Sequence, residues 1–163
     1  MASTKDYISW LNDLIETCKD AEQGFRDAAD AVARQELKEL LNEYARQRSQ
    51  FATELQNQVI RLGGDPQKTG SVSGSFHRGW INLKAAITGK DEHAILSEAE
   101  RGEDAAVKNY QEALAQDLPD DLRSVVEKQY RQVLDAHNKI RSLRDGTDAA
   151  ESRQRAPIGD RVI

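Results

Sequence analysis

Apolar and small residues recur three and four apart through four long stretches of this chain. In the first, Ile8, Leu11, Ile15, Cys18, Phe25, Ala29 and Val32 fall on one stripe, which predicts a helix from about Thr4 to Val32. Ser3 followed by Asp6 is a start signal, a relative of the Ser-x-x-Glu capping box. A second stripe, Leu37, Leu40, Leu41, Tyr44, Phe51, Leu55, Val59 and Leu62, predicts a helix over Arg34–Leu62. Gly63-Gly64 and Asp65-Pro66 stop it, because glycine takes the left-handed conformation cheaply and proline cannot continue a helix. The third long helix opens after Asp91 and runs to about Gln116 on Leu96, Ala99, Ala106, Tyr110 and Ala113. The fourth opens near Pro119 and ends at Gly146, with Leu122, Val126, Val133, Ala136, Ile140 and Leu143 inward.

Between the second and third long helices lies a polar stretch, Gln67 to Ser75, and then a short helical segment, Phe76 to Thr88, carrying Trp80. Tight turns make the first two long helices antiparallel, and likewise the last two. The connection between the pairs is too long for a simple antiparallel step. It predicts an all-α protein: a four-helix bundle with one long crossover holding a short extra helix, the connectivity of ferritin-like folds. A plain up-down-up-down bundle with an irregular loop is the alternative. The two halves also look alike. Each pairs two long helices, with Tyr44-Ala-Arg-Gln47 in one and Tyr130-Arg-Gln132 in the other, which suggests an ancient duplication.

Two carboxylates interrupt the stripes, Glu22 in the first helix and Glu103 in the third. A carboxylate on a core seam is costly unless it finds a metal, a cation or a proton. A di-iron bundle answers such glutamates with Glu-x-x-His on the other two helices. Here the second helix has no histidine, and the fourth has His137 with Leu134, not Glu, three residues before it. The side chains expected to face Glu22 are Tyr44 and Gln47, with Arg48 one step away. Those expected to face Glu103 are Gln129, Tyr130 and Val133. Three readings stay open. The carboxylates are structural, bonded to Arg46, Arg48 or Arg131 and to Tyr44 or Tyr130, since an arginine fork binds a carboxylate bidentately. They lie at the seam edge, partly wet. Or Glu22, Glu103 and His137 hold iron, manganese or zinc, with water completing the ligand set.

Composition narrows the rest. The chain has 163 residues, a net charge of -5 and 31% charged residues, which fits one domain with helices wet on one face and argues against nucleic acid as a partner. The single cysteine excludes an intrachain disulfide, and Cys18 reads as a small apolar filler. Neither a signal-peptide run nor a membrane-length apolar run is present, so a cytoplasmic location is expected. The bundle is assigned to residues 1–146. Residues 147–163 read as a flexible tail whose Ile158, Val162 and Ile163 are a possible docking peptide for a protein partner. No phosphate loop, hydrolase triad or basic stripe is found.

Several motifs together resemble a known family: Lys19-Asp-x-Glu22-x-Gly-Phe25-Arg, Arg46-Gln-Arg48-x-x-Phe51-Ala-x-Glu-Leu55, Leu62-Gly-Gly-Asp-Pro66, Gly102-Glu103-Asp, Tyr110, and Ala136-His137-x-x-Ile140-Arg. With these, residues 5–145 resemble a bacterial family of ferritin-like four-helix proteins of uncharacterised function. The resemblance implies the bundle and no established activity. The expectation is a homo-oligomeric structural or interaction protein without catalysis of its own, with a stress role by analogy alone. The alternative is a degenerate metal-binding, oxidase-like or metal-storage bundle centred on Glu22 and Glu103.

Overall fold

A computed structural model describes the backbone over residues 2–70 and 80–154, and side chains as far as residue 146. Five helices follow in chain order: α1 (Thr4–Ala31), α2 (Gln35–Arg61), α3 (Leu83–Thr88), α4 (Glu92–Leu114) and α5 (Asp120–Gln154). No strand occurs among the described residues.

The starts and stops follow the local chemistry. The Ser3 hydroxyl accepts from the Asp6 amide at 3.3 Å, and the Asp6 carboxylate accepts from the Ser3 amide at 2.9 Å, closing a reciprocal capping box. Gly63 stops α2 in the left-handed region at φ 81°. The Asp91 side chain caps α4 by accepting from the His93 amide.

The last turns of α1 and α4 hold no basic residue of their own. In each case the following helix supplies one. Lys38 of α2 donates to the Ala29 carbonyl at 2.7 Å, and Arg123 of α5 donates to the Leu114 and Gln116 carbonyls at 2.9 and 2.7 Å. Each cation satisfies carbonyls left open at a helix C-terminus and complements the negative end of its dipole.

The bundle order follows from pairings along the helices. Cys18 meets Tyr110, Thr17 meets Asn109 and Arg34 meets Glu92, so α1 and α4 are antiparallel neighbours. Gln47 meets Gln132, and Glu54 meets Gln129, so α2 and α5 are also antiparallel neighbours. With α1 antiparallel to α2, helices α2 and α4 run parallel across the diagonal. The chain between them must return along a helix of about 40 Å. It climbs beside α1: Asn12 bonds the backbone at Asp65 and Gln67, Gly70 lies against Asp20, and Trp80 lies against Gly24. The crossover connectivity is therefore the one expected.

Two expectations need correction. The short helix is Leu83–Thr88 and not Phe76–Thr88. Trp80 to Asn82 precede it outside any helix, and residues 71–79 lie outside the described part. The fourth long helix does not end at Gly146. It passes through that glycine to Gln154, because a lone exposed glycine costs a helix only about 1 kcal/mol and, among the described residues, nothing packs there to turn the chain. Ile158, Val162 and Ile163 lie outside the described residues.

The core falls into two apolar halves. One gathers Leu11, Leu14, Ile15, Leu55, Val59 and Val126. The other gathers Phe25, Leu41, Trp80, Ile95, Leu96 and Ile140.

Candidate functional site

The middle of the bundle is polar. Arg48 and Glu103, 1% and 0% exposed at their side chains, sit there with Gln129. Arg48 reaches from α2 across the diagonal to α4. Its Nη1 and Nη2 donate to the two Glu103 oxygens at 2.5 and 2.6 Å, a fork-on-fork pair. Its Nε donates to Gln47 Oε1 at 3.3 Å, and Gln47 donates onward to Gln132 at 3.3 Å. The guanidinium also lies 5.4 Å from the centre of the Phe25 ring, within cation–π range. Burial works against the Arg48 charge, but the Glu103 carboxylate more than offsets it, so the Arg48 pKa is raised.

A second chain of bonds touches all four long helices, one residue from each. Cys18 Sγ on α1 lies 3.2 Å from Tyr110 Oη on α4. Tyr110 donates to Gln129 Oε1 on α5 at 2.7 Å, and Gln129 Nε2 donates to Glu54 Oε1 on α2 at 3.0 Å. The Tyr110 proton is committed to Gln129, so the Cys18 thiol is the donor to Tyr110. Burial pushes the Cys18 thiol up to about 11 and the Tyr110 hydroxyl well above its usual value. A thiol so placed is a neutral hydrogen-bond donor and not a nucleophile.

The expected partners are sorted differently by the structure. Arg48 engages Glu103, not Glu22. Glu22, buried at 7% exposed, meets two cations of its own helix, Arg26 at 3.3 Å and Lys19 at 3.6 Å. Tyr44 packs on Phe25 with ring centres 5.5 Å apart. Gln129 serves Tyr110 and Glu54, while Tyr130 accepts from Gln111 near the surface. Val133 is buried in the apolar core. Arg46 is exposed, and Arg131 is paired with Glu127 on the outside. His137 lies on the α4–α5 seam, 2.5 Å from Asp104 and 3.9 Å from Glu100.

The residues of the polar layer do not fit a di-iron centre. Such a centre needs free carboxylate oxygens and imidazoles converging on one point in the bundle core. Here both Glu103 oxygens are bound to a guanidinium, a fixed cation in the place a metal would need. The layer can hold helices in register. It offers no open carboxylate to an ion.

Sequence reasoning missed the relay through Cys18, Tyr110 and Gln129. The signal was faint: each residue lies on a core stripe of its own helix, but only bundle packing brings them together. It also missed Trp80 as a wedge. The indole is 4% exposed, seated between Gly24 of α1 and Gly102 of α4 and edge-on to Phe25 at 5.0 Å. Trp10 is half-buried, beside a groove of about 360 Å³ that Asn109 and Gln116 also line.

Four long helices, a single lengthwise crossover and an inward-facing polar layer define a ferritin-like bundle. The chain belongs to the family described as Domain of unknown function (DUF2383), whose model matches residues 6–116. The match covers α1 to α4 and stops short of the expected residue 145. No curated protein matches the chain. Among solved structures it is similar to a two-domain protein from Anabaena variabilis containing DJ-1/ThiJ/PfpI-like and ferritin-like domains. The identity is 14% and the TM-score 0.73, covering 91% of this chain and 39% of that one. At that identity the likeness is one of fold, and this chain spans well under half of the longer protein. No helix among the described residues is long and apolar enough to cross a membrane.

Proposed function

We propose that this protein is a scaffold or interaction module built on a ferritin-like bundle, and that its core performs no metal chemistry. The observation that carries this reading is the Arg48 guanidinium bound to both oxygens of the buried Glu103. A buried ion pair of this geometry roughly offsets its own desolvation and fixes which helices meet. A role in stress physiology, with a cytoplasmic location, extends the reading by analogy of fold.

The test is metal analysis of the full chain purified without chelator, as wild type, Glu22→Ala and Glu103→Ala. The reading expects no iron or manganese whose presence depends on either carboxylate. Stoichiometric metal that both substitutions remove would overturn it in favour of a degenerate metal-binding bundle.

The working form in this proposal is a homo-oligomer, with the apolar residues Ile158, Val162 and Ile163 engaging a protein partner. Removing residues 155–163 spares α5 and should change the size profile or the co-purifying proteins. An unchanged profile with unchanged partners sinks the docking idea.

A further inference from the structure

We propose that the segment Trp80 to Lys90 is a releasable strap. It lifts as a unit off the groove between α1 and α4 while the four long helices stay folded, and the Glu98 carboxylate beneath it sets how readily it lifts. Among the described residues, the hydrogen bonds of this segment stay inside it. Leu83 donates to the Trp80 carbonyl, Ala86 to Asn82, Gly89 to Ala85, Lys90 to Ile87, and the Thr88 hydroxyl to Lys84. None of these reaches α1 or α4. The start of α3 also has no side-chain cap, since Asn82 makes no capping bond. What holds the strap is apolar packing: Trp80, Leu83, Ala86 and Ile87 join the half of the core that contains Phe25, Ile95 and Leu96. A short segment held by packing alone, with no hydrogen-bonded tie to its neighbours, opens at lower cost than the core and opens together.

Glu98 is an independent observation at the same place. It lies on α4 four residues before Gly102, so the two share a face. The Trp80 indole lies against Gly102, and α3 packs on α4 and α1, so the strap is what covers that face. Glu98 is 5% exposed, and its Oε1 is buried with no hydrogen-bond partner. Among the described residues its one cation in ion-pair range is Arg101 of the same helix. The Arg101 Nη1 stands 3.9 Å from Oε2, beyond hydrogen-bond reach, on an exposed side chain. Neither α1 nor α3 brings a charge to it. The closed strap therefore carries the full desolvation of an acceptor that nothing answers. Lifting the strap returns that oxygen to water, so Glu98 favours the lifted form. The lifted form also uncovers the glycine-walled slot between Gly24 and Gly102 that the indole fills when the strap is closed.

The experiment is native-state amide hydrogen exchange of the full chain, followed by NMR at Leu83, Ala86 and Gly89 and at core amides of α1 and α4. The proteins are wild type, Glu98→Met, Glu98→Gln and Val126→Ala. In wild type the strap amides should be protected at least about tenfold less than the core amides. Glu98→Met should raise strap protection about tenfold, because the closed strap no longer buries an unanswered acceptor. Glu98→Gln, which keeps the shape and removes the charge, should shift it the same way by less. Val126 lies in the other half of the core, which lifting leaves intact. Val126→Ala should therefore lower the protection of the core amides and leave that of the strap unchanged. Strap protection that neither Glu98 variant changes overturns the proposal, and the segment then merely frays. Strap and core amides that fall together in Val126→Ala also overturn it, because the segment then opens only with the whole bundle.

Discussion

Arg48 of α2 and Glu103 of α4 meet across the diagonal of the bundle, where no backbone contact joins their helices, and bind each other through two bonds of 2.5 and 2.6 Å. Removing one partner leaves an unpaired buried charge. Arg48→Met or Glu103→Leu alone should therefore cost about 3–5 kcal/mol. The double variant should recover most of that loss, because an apolar pair of similar volume avoids the desolvation of both ions. Urea denaturation of the four proteins forms the cycle. Purely additive losses would show that the pair is not coupled.

Trp80 fills a slot that only glycine leaves open. A Cβ at Gly24 or at Gly102 would stand 2.7 Å or less from atoms of the indole. Alanine at either site gains about 1 kcal/mol of helix propensity but must displace a ring packed on both sides. The expected net loss is about 1–3 kcal/mol for Gly102→Ala. The same change should become neutral or stabilising when Trp80→Val is also present. Thermal melts and tryptophan emission together report it, since the displaced indole should shift toward the red.

Alkaline pH should weaken the fold through the Cys18 relay. The folded thiol is raised to about 11 by burial from an ordinary 9.0, so the unfolded state ionises first. Stability from this group is whole below pH 9 and is lost as pH rises through 11. The loss amounts to about 2–3 kcal/mol at the upper end. Tyr44, raised to about 12 chiefly by its burial, acts in the same direction at higher pH. The check is the urea midpoint between pH 8 and pH 11 for wild type and Cys18→Ala. If both fall equally across that range, the thiol is not the source.

The α1 capping box acts at the opposite end of the pH scale. Asp6 has a lowered pKa because the Ser3 amide and hydroxyl hydrogen-bond its charged form. Its contribution is present above the usual carboxylate value of 3.8 and disappears as pH falls through the lowered folded value. Ser3→Ala should lower the melting temperature by a few degrees at pH 7, and by less at pH 2. An equal drop at both values would show that the reciprocal bond to Asp6 contributes nothing.

The helices were legible because their signals are local. Ser3 and Asp6, the Gly63–Pro66 stop and the Asp91 cap each act within a few residues, and the three-four spacing of apolar residues names the buried face. Gly146 misled for the same reason: a local breaker signal was overridden where the helix simply runs on. The seam position of Glu103 was also legible, as was arginine for its partner. Which arginine, and which glutamate it would choose, was not.

That choice depends on helix rotation and on the diagonal distance, which no single segment encodes. Glu22 and Glu103 look equivalent along the chain. In the bundle Glu22 is buried where Lys19 and Arg26 of its own helix reach it, and Glu103 is turned into the middle, where Arg48 of α2 reaches it. Likewise His137 was visible as a lone histidine, but its place beside Glu100 and Asp104 exists only because α4 and α5 pack antiparallel. The amino-acid sequence by itself determined the helices, their buried faces and the crossover that sets their order. The tertiary structure alone decided which buried charges pair, because pairing is a matter of a few ångströms between segments distant in the chain.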